Sequence, residues 1–274
     1  MAKPLPQNSL LDRPRVRVLG VPVDAIDLTG AVQIVERAID TGRRGYVCVT
    51  GVHGISEAQR DVRFRAVLER AMLVTPDGMP TVWLGRLEGY AHMQRVFGPD
   101  LMTAMLSRSE ECGHTHFLYG GKLGIADQLR SSLLRKYPGA KIVGTFTPPF
   151  RPLSDSEKLG LREKLDVLRP DVVWVGLSTP RQEVFMAEHL EELGAKVMIG
   201  VGAAFDFLSG NLRDAPQWMK TAGLQWAHRL AQDPRRLWKR YLINNSLFLS
   251  YLALEKLGLR RTTSVLGESL EATE

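Results

Sequence analysis

Short apolar runs alternate along this chain with longer segments in which apolar residues recur at helical spacing, and the alternation extends from about residue 46 to 202. YVCVT (46–50), AMLVT (71–75), THFLYGG (115–121), KIVGTF (141–146), DVVWVGL (171–177) and KVMIGVG (196–202) read as strands. The segments between them have recognisable helix ends. Thr29 is placed to cap a helix in which Val32, Val35, Ala38 and Ile39 recur near helical spacing, ending at Gly42. Asp61 is placed to cap a helix with Phe64, Val67, Leu68 and Ala71 on one face. Gly98-Pro99-Asp100 opens a helix with Pro in its first turn, and that helix closes at Gly113. Another closes at Tyr137-Pro138-Gly139. Ser154 and Glu157 form a capping-box pattern before a helix that stops at Pro170, and Thr179-Pro180 caps and starts the next. Ahead of these, RVRVLGVPVDAIDL reads as one or two short strands and residues 1–15 as a polar arm. Strands alternating with helices predict an α/β fold, a mainly parallel sheet with helices on both faces.

Near Gly210 the pattern changes to a helical, basic remainder carrying Trp218, Trp226 and Trp238, three of the five tryptophans. Between Arg213 and Arg240 stand seven Lys or Arg against Asp214 and Asp233, an excess of 7 − 2 = 5 that is nearly the whole net charge of +6. The division expected is therefore an α/β domain over 1–212 and a helical C-terminal appendage over 213–274. Asp233-Pro234 can start a helix with Arg235, Arg236, Lys239 and Arg240 in its first turns. The uncharged stretch that follows, Tyr241 to Leu254, covers only fourteen residues and is interrupted by Asn244, Asn245 and Ser246. A spanning helix needs about 20 apolar residues, so this one is expected to lie on a bilayer and not to cross it. The start of the chain lacks the apolar core of a signal peptide, and two cysteines, Cys48 and Cys112, make no disulfide framework. Both observations point to a reducing cytoplasm.

On a parallel sheet the carboxyl ends of the strands line one edge, where ligands bind. The residues this places there are Thr50, Asp77, Gly120-Gly121, Gly176 to Glu183, and Gly200 to Gly202 with Asp206. Asp77 stands in LVTPDGMP, where an apolar run breaks at a Pro-Asp-Gly turn, and a turn residue and a functional carboxylate are both open readings. Gly pairs before helices let backbone N–H groups approach phosphate oxygens, which suggests a nucleotide or sugar-phosphate site. His53, behind Thr50, can be a base, a sugar contact or a hydrogen-bonded loop residue. The chain has no G-x-G-x-x-G after its first strand, no G-x-x-x-x-G-K-[ST], no G-x-S-x-G and no H-E-x-x-H. No two Asp lie two positions apart, so the Asp-x-Asp metal clamp is missing. Cleavage of a sugar phosphate ester would then proceed without a divalent metal, with Arg side chains and helix N-termini carrying the leaving-group charge. Arg95 is the preferred candidate.

VTPDGMP, RVFGPDL, FLYGGKLGIA, PDVVWVGLSTPRQE, GVGAAFDFLSG, APQWMKTAGLQWAHRL and DPRRLWKRY together, in this order and spacing, resemble the TagA/WecG/CpsF family of bacterial glycosyltransferases from about residue 16 to 242. The resemblance implies a Rossmann-like, metal-independent, inverting enzyme with no cofactor. It implies transfer of a hexose-type sugar, of the N-acetylmannosamine, mannosaminuronate or glucuronate class, from a UDP-sugar to a polyprenyl-diphosphate-linked saccharide in cell-surface polysaccharide synthesis. It also implies Asp77 as catalytic base and Arg95 as the Arg that meets the diphosphate. Thr50, Gln182 and Glu183 match site polar residues, and Asp206 with the neighbouring glycines (Gly120, Gly121, Gly176, Gly202) matches the nucleotide-binding edge. The basic segment with Arg229, Arg235, Arg236 and Arg240 resembles an appendage that holds the enzyme on the inner face of the cytoplasmic membrane and completes the active site. The chain departs from the family pattern at Val52-His53, where Asn is common two residues after the Thr. It departs again at Gln225, where Glu is frequent, and at Asp214, inserted before Ala215-Pro216.

Two other classes compete with this reading. One is a nucleotide-sugar or lipid-linked-sugar binding protein without turnover, which the joint presence of Asp77 and Arg95 disfavours. The other is a nucleic-acid-binding protein, which the absence of any reader motif disfavours, so no nucleic acid partner is expected. The donor sugar, the acceptor, the linkage and oligomerisation, a homo-oligomer included, stay open at this level.

Overall fold

A computed structural model describes residues 13–260. The expected N-terminal arm lies outside the described residues as far as residue 12, as does the chain from residue 261. Arg15–Val18 (β1) and Val21–Asp24 (β2) form an antiparallel hairpin through Leu19 and Gly20, both at positive φ, the backbone that a two-residue hairpin turn needs. Six parallel strands follow: Gly45–Thr50 (β3), Leu73–Pro76 (β4), Thr115–Gly120 (β5), Lys141–Phe146 (β6), Val172–Gly176 (β7) and Val197–Gly200 (β8), side by side in the order β4-β3-β8-β7-β5-β6. All six predicted strands are present. Their helices are Leu28–Asp40 (α1), Val52–Ala58 (α2), Val62–Arg70 (α3), Met79–Leu87 (α4), Gly98–Cys112 (α5), Ile125–Lys136 (α6), Asp155–Leu168 (α7), Arg181–His189 (α8) and Ala204–Leu208 (α9). Gln217–Thr221 (α10), Gln225–Gln232 (α11) and Pro234–Lys256 (α12) are the last helices among the described residues.

Alternate residues of each strand enter two separate cores. Val47, Val49, Leu118, Trp174 and Ile199 pack with α1, α5, α6 and α9 on one face. Tyr46, Cys48, Phe117, Val173 and Met198 pack with α3, α7, α8 and the β1–β2 hairpin on the other. Helices therefore cover both faces, which is why the strands read as unbroken apolar runs and not as alternating ones.

Helix ends show where local chemistry decides and where it does not. Asp61 caps α3 by accepting from the Arg63 and Phe64 N–H groups, Gly113 ends α5 in the left-handed conformation, and the Ser154–Glu157 capping box is complete. Asp27, not Thr29, caps α1, accepting from Gly30 N–H; its carboxylate is two residues earlier and the stronger acceptor. Thr179 does not cap α8. Pro180 holds the N-cap position, and the Thr179 hydroxyl donates to Glu183 instead. Asp233 occupies the N-cap of α12 without a capping bond, its carboxylate drawn away into an ion pair with Arg236. Helix α2 was not anticipated.

Two long-range contacts position the functional edge. Asp24, fully buried, is paired with Arg13 and Arg15 and accepts from Val74 N–H at 2.7 Å, which ties the hairpin to β4. Helix α12 lies on α2: Ser56 Oγ donates to the Asn244 carbonyl at 3.0 Å, and Phe248 enters the core beneath. Its opposite side leaves Trp238, Leu242 and Leu249 exposed. No helix among the described residues is long and apolar enough to cross a membrane.

Candidate active site

A cleft of about 710 Å³ runs across the carboxyl ends of the strands. It is lined by Asp77 beyond β4, Gly202 and Asp206 beyond β8, Gly176 to Thr179 beyond β7, Gly121 and Lys122 beyond β5, and the Pro148–Leu153 loop beyond β6. Strands stand ~4.8 Å apart, so the cleft is long enough for an extended ligand. Arg229, Arg236 and Arg240 reach it from the C-terminal helices.

Asp77 is set by the backbone around it. Its N–H donates to the Thr50 carbonyl at 2.9 Å, one step beyond the last β3–β4 register pair, and Val96 N–H donates to Pro76 at 2.9 Å. The first bond fixes the carboxylate at the strand end and the second brings the segment carrying Arg95 beside it. Only glycine fits at Gly51, where a Cβ would lie 2.1 Å from the Asp77 carbonyl oxygen. A Cβ at Gly120 would lie 2.6 Å from the Gly176 carbonyl oxygen, and there Gly121 N–H donates to that oxygen at 3.1 Å.

Arg95 Nε donates to Asp77 Oδ1 at 3.3 Å, and its guanidinium lies over the Phe97 ring, 4.2 Å from the centroid. Its outer nitrogen donates to Gln225 Oε1 of α11. Gln225 Nε2 in turn donates to Asp214 Oδ1 at 2.9 Å, and Asp214 pairs with Lys220. Gln225 and Asp214, two of the positions noted above as departures, thus touch one another. An amide at 225 can accept from Arg95 and donate to Asp214, whereas a carboxylate there would set two like charges together.

The other predicted residues do not all reach the cleft. Gly121, Gly176, Gln182, Gly202 and Asp206 line the cleft with Asp77. Thr50 and Glu183 lie just beneath it, buried, with Thr50 Oγ1 and Glu183 Oε2 unpartnered. Glu183 Oε1 accepts from Thr179 Oγ1 at 2.8 Å and from Gln182 Nε2 at 3.0 Å. Burial pushes the Glu183 carboxyl pKa up, against the pull of those two hydrogen bonds. Gly120 forms the close approach of β5 to β7. His53, on α2, faces α12: Asn244 Nδ2 donates to its Nδ1 at 2.9 Å, and its Nε2 faces the Thr179 carbonyl at 3.4 Å. Burial, and then the Arg240 charge, lower its pKa to about 4, so the ring is neutral near pH 7.

Of the basic set, Arg235 is exposed and does not line the cleft, while Arg229 and Arg240 keep buried, unpartnered Nε atoms. Burial first, and then Arg229 and Arg236, lower the pKa of Arg240. Among the described residues no three His, Cys, Asp or Glu side chains are grouped to hold a metal ion. Sequence reasoning marked Gln225 only as a departure from the family pattern and not as the partner of Arg95, and it missed Tyr119 and Phe185, whose rings stack 4.4 Å apart in the cleft wall. Both aromatics read in the sequence as ordinary core residues, and nothing in their spacing signals the wall.

The sequence profile of the glycosyl transferase WecG/TagA/CpsF family matches residues 16–262. The chain belongs to this family. It is similar to two bacterial proteins named N-acetylglucosaminyldiphosphoundecaprenol N-acetyl-beta-D-mannosaminyltransferase. That of Bacillus spizizenii is 30% identical over 81% of this chain and 86% of its own length, and that of Bacillus subtilis 30% identical over 86% and 90%. This member of the family is accordingly a glycosyltransferase, and the cleft is its candidate active site.

Proposed function

We propose that this glycosyltransferase moves a hexose-type sugar from a UDP-sugar to a polyprenyl-diphosphate-linked saccharide, with inversion and without a resident divalent metal. N-acetylmannosamine is the first donor sugar to consider and lipid-linked N-acetylglucosamine the first acceptor, because the two relatives carry those groups in their names. The observation that carries the reading is that Asp77, held by Arg95, lines one end of a cleft that three arginines of the C-terminal helices enter. The acceptor hydroxyl oxygen attacks the anomeric carbon while Asp77 takes its proton. The bond from that carbon to the β-phosphate oxygen breaks, and its electron pair leaves on UDP. Arg95, with guanidinium N–H groups of the C-terminal helices, neutralises the charge that develops there. The exposed stripe of Trp238, Leu242 and Leu249, flanked by Arg235 and Lys239, suits a peripheral position on the inner face of the cytoplasmic membrane, where basic side chains are worth about 1 kcal/mol each.

The test is UDP release from UDP-N-acetylmannosamine and a diphospholipid-linked N-acetylglucosamine, with and without EDTA. UDP release that needs the acceptor and is unchanged by EDTA is the expected result. Loss of activity in EDTA, restored by Mg²⁺ or Mn²⁺, would overturn the metal-free mechanism. Tight donor binding with no UDP release from any lipid-linked acceptor would overturn the transfer itself.

A further inference from the structure

Gln182 and Glu183 are adjacent in the first turn of α8, yet they face different surroundings. Gln182 lines the cleft, and Glu183, 1% exposed, lies behind it. A side-chain amide has a donor end and an acceptor end of the same shape, so only its hydrogen-bond partners decide which end faces a ligand. Here the decision is built in. Glu183 Oε1 accepts from Thr179 Oγ1 at 2.8 Å and takes the Gln182 NH2 at 3.0 Å. The Gln182 carbonyl oxygen then points the other way, buried and unpartnered, 3.5 Å from where a Cβ would stand on cleft-lining Gly202. The amide nitrogen lies on the other side, beside Gly200, where a Cβ would stand 3.0 Å from it.

We propose that Glu183 is a positioning residue. With the Thr179 hydroxyl it fixes the Gln182 amide so that the carbonyl oxygen faces the cleft, as the acceptor for an N–H or O–H of the sugar nucleotide. The proposal rests on the cleft being the UDP-sugar site. It assigns a polarity to this point of the site: a sugar hydroxyl, an amide N–H or a pyrimidine N–H fits there, and an unprotonated phosphate oxygen does not. Glu183 itself touches no ligand. The same Thr179 carries its carbonyl toward His53 and, through His53, Asn244 of α12, so the turn that holds Glu183 is braced from both sides.

The experiment is a double-mutant cycle read by calorimetric dissociation constants for UDP-N-acetylmannosamine and for UDP, which need no turnover. Gln182→Ala should weaken sugar-nucleotide binding about tenfold, the scale of one lost hydrogen bond to a buried acceptor. Glu183→Ala should weaken it similarly, and the double variant should be no weaker than either single variant, because groups acting as one unit are not additive. Glu183→Gln, whose side-chain oxygen can still accept from Thr179 and Gln182, should stay within about twofold of wild type. Loss confined to UDP-N-acetylmannosamine assigns the donor group to the sugar, and equal loss for UDP assigns it to the uridine; either supports the proposal. Effects that multiply in the double variant, or Glu183→Gln as damaging as Glu183→Ala at an unchanged melting temperature, would overturn it. If Glu183→Ala does not fold, the cycle is run with Thr179→Val and Gln182→Ala, where coupling supports the proposal and independence overturns it. Failure of wild type to bind either nucleotide would instead remove the functional reading on which the proposal stands.

Discussion

Arg95 and Asp77 stand 18 residues apart and meet because two backbone bonds, Asp77 N–H to Thr50 and Val96 N–H to Pro76, bring a strand end and a loop together. In the resting enzyme Arg95 is shared between Asp77 and Gln225, so a guanidinium fork is needed and an ammonium point charge is a poor substitute. Arg95→Ala should lower kcat about 100-fold, the ~3 kcal/mol typical of one preorganised donor to a developing anion. Arg95→Lys should recover little of that loss. Steady-state rates with a melting curve check both, and a kcat within a few-fold of wild type for either variant would contradict the assignment. Glu183 makes a prediction of a different kind. Its pKa in the folded protein is raised above 4.5 by burial, so the folded state holds this proton more tightly than the unfolded chain does. The contribution to stability is full below the unfolded value and is lost as pH rises through the folded one. Glu183→Gln does not titrate, so its melting temperature should gain on wild type as pH rises above 4.5 and through the raised folded-state value. A difference that is constant with pH would show that Glu183 keeps an ordinary carboxyl pKa.

At the scale of elements, the docking of the C-terminal helices rests on a few polar contacts that can be tested singly. Gln225→Glu places a carboxylate against Asp214 and should cost activity through the loss of a well-placed Arg95. Adding Asp214→Asn removes the repulsion and should restore part of that activity. No recovery in the double variant would break the proposed link between the two positions. The capping box at the start of α7 is a control far from this chemistry: Ser154→Ala should cost about 1 kcal/mol in urea unfolding and leave kcat unchanged. These elements differ in how plainly the sequence announces them. Ser154 and Glu157 are legible because a capping box is closed within three residues. The six strands are legible because burial on both faces removes polar interruptions. Helix α2 was missed because VHGISEA is short and holds a glycine, and its stability comes from α12 packed on it, a contact between residues 188 positions apart at Ser56 and Asn244. Thr29 misled because it is itself a common cap former, while Asp27, two residues earlier and the stronger acceptor, takes the position. Gln225 stands out in the sequence as a departure from the family pattern, but nothing local names its partner Arg95, which lies 130 residues away.

For the whole molecule, the parallel sheet gathers at one edge residues that the sequence distributes from position 77 to 240, and the C-terminal helices close that edge with arginines. The same helices turn an apolar and basic stripe outward. Leu242→Glu with Leu249→Glu alters only exposed positions of α12, so it should leave the melting temperature unchanged and abolish co-sedimentation with anionic vesicles. Wild-type binding should weaken as salt rises. Equal sedimentation of variant and wild type would show that this face is not the membrane contact. The central claim remains that the carboxylate at the end of β4 takes the proton of the acceptor. A positioned base contributes about 100- to 10,000-fold, and Asp77→Asn preserves the shape of the side chain while removing the base. The most direct measurement is single-turnover sugar transfer by Asp77→Asn, with UDP affinity and melting temperature measured on the same preparation. The account predicts a rate lower by about 100-fold or more, with binding and stability close to wild type. Transfer at nearly the wild-type rate would reduce Asp77 to a turn residue and contradict the mechanism.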